Sequence, residues 1–591
     1  MKEFLKFTLA SIVGWFIAGI ACVLIGILTV AGFMASVSSE TETTVKKNSV
    51  YVLELDGTVV ERFASSPFDK YLGDTQSYIG LDDLLASIRK AKENDNIKGI
   101  YVKAGALACA PATMQALHDA LADFKESGKF ILAYGDSYQQ NTYYISSVAD
   151  RLIVHPQGTI SWSGLRLQTM FLKGLLDKVG VEMQVFRVGT YKAAVEPFIA
   201  TEMSEANREQ IQAYLSEVWQ QMVGDVAASR SLTDEELNRQ ADACMEMQPA
   251  EEYVRNGLAD TLLYKDQVLD LLVQQMEVEE EDDLETLYTK DMMGVQRNVP
   301  KDMSGNIVAV YYAFGEIDNN TDGSYQQEGI HAESVISDLR RLRKDENVKA
   351  VVLRVNSPGG SAFASEQIWR EVTLLKEKKP VVVSMGDYAA SGGYYISCAA
   401  DWIVAEPTTL TGSIGIFGMV PNASKLINNT LGVRIETVKT NRLSDMGDLS
   451  RPWTEEEKAL MQQMVDRGYE LFTRRCADGR RLPQDSILAI AEGRVWTGIQ
   501  AQRLKLVDQL GGIDAAIQEA VKRSEVDAYS VVSYPSSRNM LDRLMEVGVD
   551  RYISAHLSAP FEEYARSFSF LRQLKQADRV QARLPFDLTI Q

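Results

Sequence analysis

Histidine and cysteine are scarce in this chain, and clustered positive charge is missing from it. Four histidines, His118, His155, His331 and His556, occur among 591 residues, and none stands beside a glycine-rich motif that could carry a nucleophile. Five cysteines, Cys22, Cys109, Cys244, Cys398 and Cys476, are scattered, odd in number and free of CxxC spacing. That usage points away from both a disulfide framework and a zinc site, and leaves buried free thiols. No Lys/Arg-rich run offsets the net charge of -20, so the chain would repel phosphate backbones and nucleic-acid binding is not expected. The acidic block from Glu277 to Glu285 reads as a solvated face or linker rather than a metal site. No metal or cofactor is expected.

What is present begins with a long apolar run. Residues Phe7 to Val37 carry no charge and are long enough to cross the hydrocarbon layer of about 30 Å as a helix. A cleavable signal peptide would have an apolar region of only about 7 to 15 residues, so a retained anchor is expected. Lys2 and Lys6 precede the run and Ser38 to Thr44 is polar and acidic. The positive-inside rule then keeps the N-terminus in the cytoplasm and puts the body on the outer face of the membrane. The chain is also too long for one core, because single cores stop growing near about 250 to 300 residues.

The chain contains itself twice. The segment GDSYQQNTYYISSVADRLIVHPQGTISWSG from Gly135 matches GDYAASGGYYISCAADWIVAEPTTLTGSIG from Gly386, with the shared YYIS in register. Glu93 to Ile100 matches Asp345 to Val351, GVEMQVFRVGTYK from Gly180 parallels GVRIETVKTNRLS from Gly432, and YVRNGLADTLL from Tyr253 parallels AQRLKLVDQLG from Ala501. A repeat of this length exposes architecture that local patterns miss. In each half, Val/Ile-rich runs alternate with helical patterns. Strands are expected at Val50 to Glu54, Ile97 to Lys103, Phe130 to Tyr134 and Arg151 to Val154, and again at Ile307 to Tyr312, Ala350 to Val355, Val381 to Ser384 and Trp402 to Ala405. Strand–helix–strand order implies parallel pairing with right-handed crossovers, an α/β fold. Long helices are expected near Glu205 to Ala228 and Glu455 to Asp478. The resulting organisation is an N-terminus and anchor over 1–45, a first repeat over 46–290, a linker over 291–305, a second repeat over 306–532 and an amphipathic, helical tail over 533–591.

The two halves differ where chemistry could sit. In the second, VLRVNSPGG from Val352 ends a strand in a glycine turn, a feature that is commonplace alone. VVVSMGDYAASGGYY from Val381 puts Ser391 after a strand and just before a helix, where an elbow would expose the hydroxyl and aim helix amides at an oxyanion. An ordinary N-cap serine is the plain alternative. In the first half the same register reads Gln140-Asn141-Thr142, so folding does not require Ser391-Gly392-Gly393. A serine nucleophile still needs a base, and with no histidine nearby lysine is the remaining candidate.

The motifs NSPGGS from Asn356, SMGDYAASGGYYIS from Ser384, TLTGSIGIFG from Thr409, VGTYKAAVEP from Val188 and GRVWTG from Gly493 resemble the signal peptide peptidase A family, also called protease IV, in its long two-repeat form. The resemblance implies a tandem duplication of a ClpP/crotonase-like βαβ domain behind one transmembrane helix, and a serine peptidase with a Ser/Lys dyad. Carried over, it makes Ser391 the nucleophile and Lys192 its general base. In the repeat alignment Lys192 falls opposite Ser444, where single-repeat relatives look similar but carry the lysine, so the base has moved to the other half. The site would then lie between the two halves. Ser413 would orient the amine, and Gly392 with Gly360 or Gly359 would hold the oxyanion. A lysine with an ordinary pKa near 10.4 could not act as a base at neutral pH, so burial has to lower it. The resemblance further implies hydrophobic peptides, remnants of signal peptides, as substrates, a homotetrameric bowl, and residence in the cytoplasmic (inner) membrane with the catalytic body periplasmic. A catalytically silent scaffold and a crotonase-like acyl-CoA enzyme are the alternatives on the same fold.

Overall fold

Two parallel sheets, one from each half, follow from the repeated apolar runs. The computed structural model describes residues 42–63, 78–298, 302–319, 329–535 and 580–584, together with Gly14 and Gly19. In the first half, strands Ser49–Val60, Ile97–Ala108, Phe130–Tyr138 and Arg151–Ile160 lie side by side, all parallel. In the second, Ile307–Phe314, Val348–Ser357 and Val381–Ala390 do the same, and Val381–Ala390 is joined by Trp402–Ala405 and then Leu410–Gly412. Even the outriggers repeat. Glu285–Tyr288 flanks the first sheet as Ser530–Tyr534 flanks the second, and Thr261–Leu262 is echoed by Gln509–Leu510. Helices Leu81–Glu93, Pro111–Lys125, Ala332–Lys344 and Ala362–Lys376 cross between neighbouring strands, as parallel pairing requires.

Every expected strand is present, but most run further toward the site than their apolar stretch. Val381–Ala390 continues six residues beyond Ser384 because ladder bonds to Leu410–Gly412 hold Tyr388 to Ala390 extended, past Gly386 and Asp387. Backbone pairing, not side-chain patterning, sets these ends. The long helices are Glu205–Arg230 and Glu455–Arg480, both 26 residues. Each starts on a side-chain cap, Ser204 or Thr454, and each ends on a left-handed residue, Ser231 or Arg481.

A third sheet stitches the halves together. Its order is Gly329–His331, Glu316–Asp318, Gly359–Ser361, Val580–Arg583, Phe417–Asn422, Glu182–Arg187. The last of these belongs to the first half and pairs antiparallel with Phe417–Asn422 of the second over six residues. Packing crosses as well. Phe186 is buried in the second core, whereas Ala390, Leu410 and Val495 are buried in the first. Between the sheets Glu61 takes two hydrogen bonds from buried Arg354, each 2.9 Å, and a third from Asn356 Nδ2 at 2.9 Å. Asp387 likewise accepts from the amide and hydroxyl of Thr113 at 2.8 Å each. Losing one partner of such a buried charged pair costs about 3 to 5 kcal/mol, so this network strongly favours one docking of the halves.

Three expectations meet the structure differently. The anchor, Phe7 to Val37, falls outside the described residues apart from Gly14 and Gly19, and no helix among the described residues is long and apolar enough to cross a membrane. The stretch read as a linker, 291–305, is partly core: Met292 and Val295 are buried against the first sheet, because apolar side chains there have a face to fill. Of the tail read as helical, the described residues Val580–Arg583 form a strand, since two edges are open to receive their backbone.

Candidate active site

The geometry around Ser391 begins with where its strand ends. Val381–Ala390 pairs Ala390 with Gly412, and the Ser391 amide donates to Gly412 O at 2.8 Å. The chain then turns at once into helix Gly392–Ser397, which puts Ser391 at φ 55 and ψ -113, off the ordinary basins. Holding a non-glycine residue there costs about 1 to 3 kcal/mol and persists only where the surroundings impose it. The two glycines that follow let the helix press close. A Cβ on Gly393 would sit 2.7 Å from Ser357 O, and one on Gly392 2.7 Å from Ser365 Oγ.

The first half has no such strain. Gln139 leads into helix Gln140–Ser146 with φ -68 and ψ 159, an ordinary extended approach. Gln140 Oε1 accepts the amides of Ser163 and Gly164 at 3.0 Å each, and Asn141 donates to Leu107 O. Carboxamides therefore fill, with satisfied hydrogen bonds, the place that corresponds to Ser391 and Gly392.

Lys192 reaches Ser391 from the other half of the chain. Strand Glu182–Arg187, zipped onto Phe417–Asn422, delivers the loop that carries it. The Tyr191 amide donates to Glu492 O at 3.0 Å and fixes that loop. Glycines make room: a Cβ on Gly189 would meet Glu492 O at 2.3 Å, and one on Gly493 would meet Lys192 Cβ at 2.7 Å. The side chain is wholly buried, with Nζ 2.8 Å from Ser391 Oγ, 3.0 Å from Ser413 Oγ and 3.3 Å from Ser413 O. Burial holds the amine well below its ordinary pKa of 10.5. A neutral amine has two N–H donors and one lone pair. The two oxygens of Ser413 can take both donors, which leaves the lone pair for the Ser391 hydroxyl.

The glycine turn closes the site. Gly359 and Gly360 have φ of 104 and 154, and a Cβ on Gly359 would meet the Gly392 amide nitrogen at 2.9 Å. The Gly359 amide donates to Ser357 Oγ at 3.1 Å, within its own turn. Strand Val580–Arg583 runs antiparallel to both Gly359–Ser361 and Phe417–Gly418, with Ala582 opposite Gly360. The Ala582 carbonyl oxygen is the atom that a Cβ on Gly359 would strike at 2.0 Å and one on Gly392 would approach to 3.1 Å.

All six residues singled out from sequence, Ser391, Lys192, Ser413, Gly392, Gly360 and Gly359, thus come together. Three contributors were not singled out. Gly493 and Gly415 pack the lysine stem, Gly415 within 3.4 Å of Cδ were it to carry a Cβ. Asn356 ties the turn to Glu61 across the halves. The GRVWTG motif containing Gly493 was visible, but nothing in one sequence ties it to a lysine some 300 residues earlier.

The model for peptidase family S49 matches residues 123–279 and 373–527, once in each half, and that for the Clp protease matches residues 324–405. Protease 4 of Salmonella typhi is 34% identical over 519 residues, covering 84% of this chain and 81% of that protein. The chloroplastic serine protease SPPA of Arabidopsis thaliana is 32% identical over 489 residues, covering 82% and 70%. Protease 4 of Haemophilus influenzae is 34% identical over 459 residues, covering 74% and 72%.

Proposed function

Because the chain belongs to peptidase family S49 and is a serine peptidase, we propose that it cuts peptides with Ser391 as nucleophile and Lys192 as general base. The observation that carries this reading is the fully buried amine 2.8 Å from the serine hydroxyl. A silent scaffold would have no use for an amine held against a hydroxyl at the cost of its own desolvation. In the reaction, Ser391 Oγ attacks the peptide carbonyl while its proton passes to Lys192 Nζ. The leaving amine takes that proton, and an acyl-enzyme remains on Ser391. Water, deprotonated by Lys192 Nζ, then attacks the acyl carbon, and the proton passes from Nζ to Ser391 Oγ as the acid leaves. Ser413 keeps the amine's donors occupied and its lone pair aimed.

For the oxyanion we assign the amides of Gly392 and Gly360. Gly359 is the weaker candidate, because its amide is spent on Ser357 Oγ. The Leu584 amide donates to Pro358 O at 2.7 Å, and in an antiparallel ladder that makes Gly360 and Ala582 the next bonded pair. A carbonyl placed like that of Ala582 would accept from the Gly360 amide with Gly392 alongside, and each such donor is worth about 3 to 4 kcal/mol in the transition state. The same strand supports extended peptides as the substrate class, since it pairs in the groove with Gly359–Ser361 on one side and Phe417–Gly418 on the other, as an added peptide strand would.

Membrane anchoring by Phe7 to Val37, a periplasmic body, apolar remnants of signal peptides as substrates and a homotetrameric assembly complete the proposal. A relative from Enterococcus faecium that carries the name putative signal peptide peptidase SppA supports that substrate class. The test is hydrolysis of a short hydrophobic reporter peptide, with a serine-reactive probe read by mass spectrometry at Ser391. Ser391→Ala and Lys192→Met should each lower turnover by roughly 10⁴-fold or more. Full activity in both variants would sink the dyad.

A further inference from the structure

Lys192 stands at the apex of a three-residue turn. Its backbone has φ -76 and ψ 76, and the Ala193 amide donates to Tyr191 O at 2.8 Å, which makes an inverse γ-turn. Such a turn closes on one carbonyl, so whatever else binds that carbonyl sets where the apex side chain points. Tyr191 O has a second donor. Gln210, buried on the long helix Glu205–Arg230, aims Nε2 at it from 3.1 Å. The same carboxamide accepts the Val495 amide through Oε1 at 3.3 Å. Val495 pairs with Gly412 and follows Arg494, whose carbonyl accepts the Ser413 amide at 2.7 Å. One side chain of the first half therefore bonds both the turn that carries the amine and the strand of the second half that holds Ser413.

The carboxamide is not free to flip. Its other Nε2 hydrogen goes to Asn207 Oδ1 at 3.0 Å, and Asn207 Nδ2 donates to Glu196 Oε2 at 3.0 Å. That oxygen also takes the Ser204 amide at 3.3 Å. Backbone amides can only donate and the Tyr191 carbonyl can only accept, so the groups at the two ends fix the role of every atom between them. Glu196, Asn207 and Gln210 are all buried, where a flipped amide would leave donor facing donor. The second half folds the equivalent helix without these bonds. Glu205–Arg230 and Glu455–Arg480 start on matching caps, Ser204 and Thr454, so Asn207 corresponds to Glu457 and Gln210 to Leu460. Glu457 is spent on Arg451 and on its own cap, and Leu460 is 40% exposed. The relay is present in the half that carries the base and absent from the half that carries none.

We propose that Gln210, oriented through Asn207 by Glu196, is a positioning residue for the general base. It locks the turn at Lys192 to the strand at Ser413, so that Nζ stays dry and its lone pair stays on the Ser391 hydroxyl. It acts through Lys192 and so rests on the catalytic reading given above. The charged groups around the turn work on its backbone or its rim: Arg187 donates to Lys192 O, Glu492 accepts from the Thr190 amide, and Glu209 and Arg494 bond the Tyr191 hydroxyl. None of them pairs with Nζ, and burial alone lowers the pKa of the amine. What keeps the turn closed therefore keeps the base neutral.

The test is steady-state hydrolysis of the reporter peptide across pH by the full chain in detergent. Gln210→Leu removes all three bonds. Gln210→Glu keeps the shape and the acceptor for Val495, but a carboxyl offers at most one hydrogen where two are needed, and it carries the test should the leucine variant not fold. Each should lower kcat about 100-fold, the scale of a misplacement of about 1 Å at a catalytic group. KM should stay within about twofold, and the acidic limb of kcat/KM should move to higher pH as water reaches the amine. Gln115→Leu is the matched comparison. Its carboxamide is as buried and also bridges the halves, accepting from Thr408 Oγ1 at 3.2 Å, but it bonds neither the turn nor the strand at Ser413. It should lower the melting temperature about as much as Gln210→Leu and leave kcat and the limb in place. A KM that rises as kcat falls would mean that Gln210 meets substrate. Equal kinetic losses in Gln210→Leu and Gln115→Leu, with the limb unmoved, would mean that it only helps the halves dock. Parent kinetics in Gln210→Glu would mean that packing suffices. Any of the three overturns the proposal. The dyad is judged apart from it: activity in Ser391→Ala and Lys192→Met removes the catalytic reading, whereas parent-like kcat in the Gln210 variants beside inactive dyad variants removes only the positioning role.

Discussion

Replacing Lys192 by methionine should change stability in a way that depends on pH. The amine is buried without exposure, and desolvation sets its pKa well below 10.5. To serve as a base at pH 7 it must give up, on folding, a proton that the unfolded chain retains. From an unfolded pKa near 10.4 this costs about 4 to 5 kcal/mol at pH 7. Methionine has a similar stem and no proton to lose. It forfeits the contacts of Nζ with Ser391 Oγ, Ser413 Oγ and Ser413 O, worth about 1 kcal/mol each. The variant should therefore be more stable than the parent by about 1 to 2 kcal/mol at pH 7, or roughly 2 to 6 °C in the melting of that unit. Between the folded pKa and about 10.4 the unfolded lysine binds one proton more than the folded one, so parent stability rises with pH by about 1.4 kcal/mol per unit. Below the folded pKa both states are protonated and the full penalty remains. The variant lacks this slope, and the order of the two proteins should reverse between about pH 8 and 9. Melting curves by intrinsic fluorescence from about pH 6 to 10 read it directly. A difference that stays constant across that range would refute a buried, neutral Lys192.

Other expectations concern the groove and the docking. Gly359→Ala puts a Cβ 2.0 Å from Ala582 O and 2.9 Å from the Gly392 amide nitrogen at a residue with φ 104, so it displaces the turn that places the assigned donors and should lower kcat/KM by about 100-fold or more; parent-like kinetics would mean the turn does not shape the site. Deleting residues 580–591 removes the strand that lies in the groove, so KM for the reporter should fall with kcat unchanged, and an unaltered KM would show that the strand does not compete. Glu61→Gln leaves Arg354 buried with its charge unmatched, which should cost about 3 to 5 kcal/mol and separate the melting of the halves; calorimetry showing one unshifted transition would contradict that. The kcat/KM profile should rise with pH on the acidic side as Lys192 loses its proton, and Lys192→Met should abolish that limb.

Much of this protein was legible in the amino-acid order. The duplication, the parallel sheets and the 26-residue helices are local patterns, each written twice, and the second copy corrects the reading of the first. Ser391 stood out because Gln140 occupies its place in a fold that needs neither. Strand ends were less legible, since the bonds that extend Val381–Ala390 come from Leu410–Gly412 and leave no mark on the strand's own residues. The strand at Val580–Arg583 was missed for the same reason: its pairing edges lie in Gly359–Ser361 and Phe417–Asn422, both far away along the chain.

By itself, then, the sequence determined two similar halves, one bearing a serine elbow and the other a lysine of a recognisable family. Only the tertiary structure decided that the two groups meet. Nothing in residues 188–197 distinguishes a solvated loop lysine from a buried base. Desolvation by Gly415, Gly493 and Ser413 makes that distinction, and those three belong to the opposite half. Depth of burial is a property of packing, which no stretch of chain possesses alone.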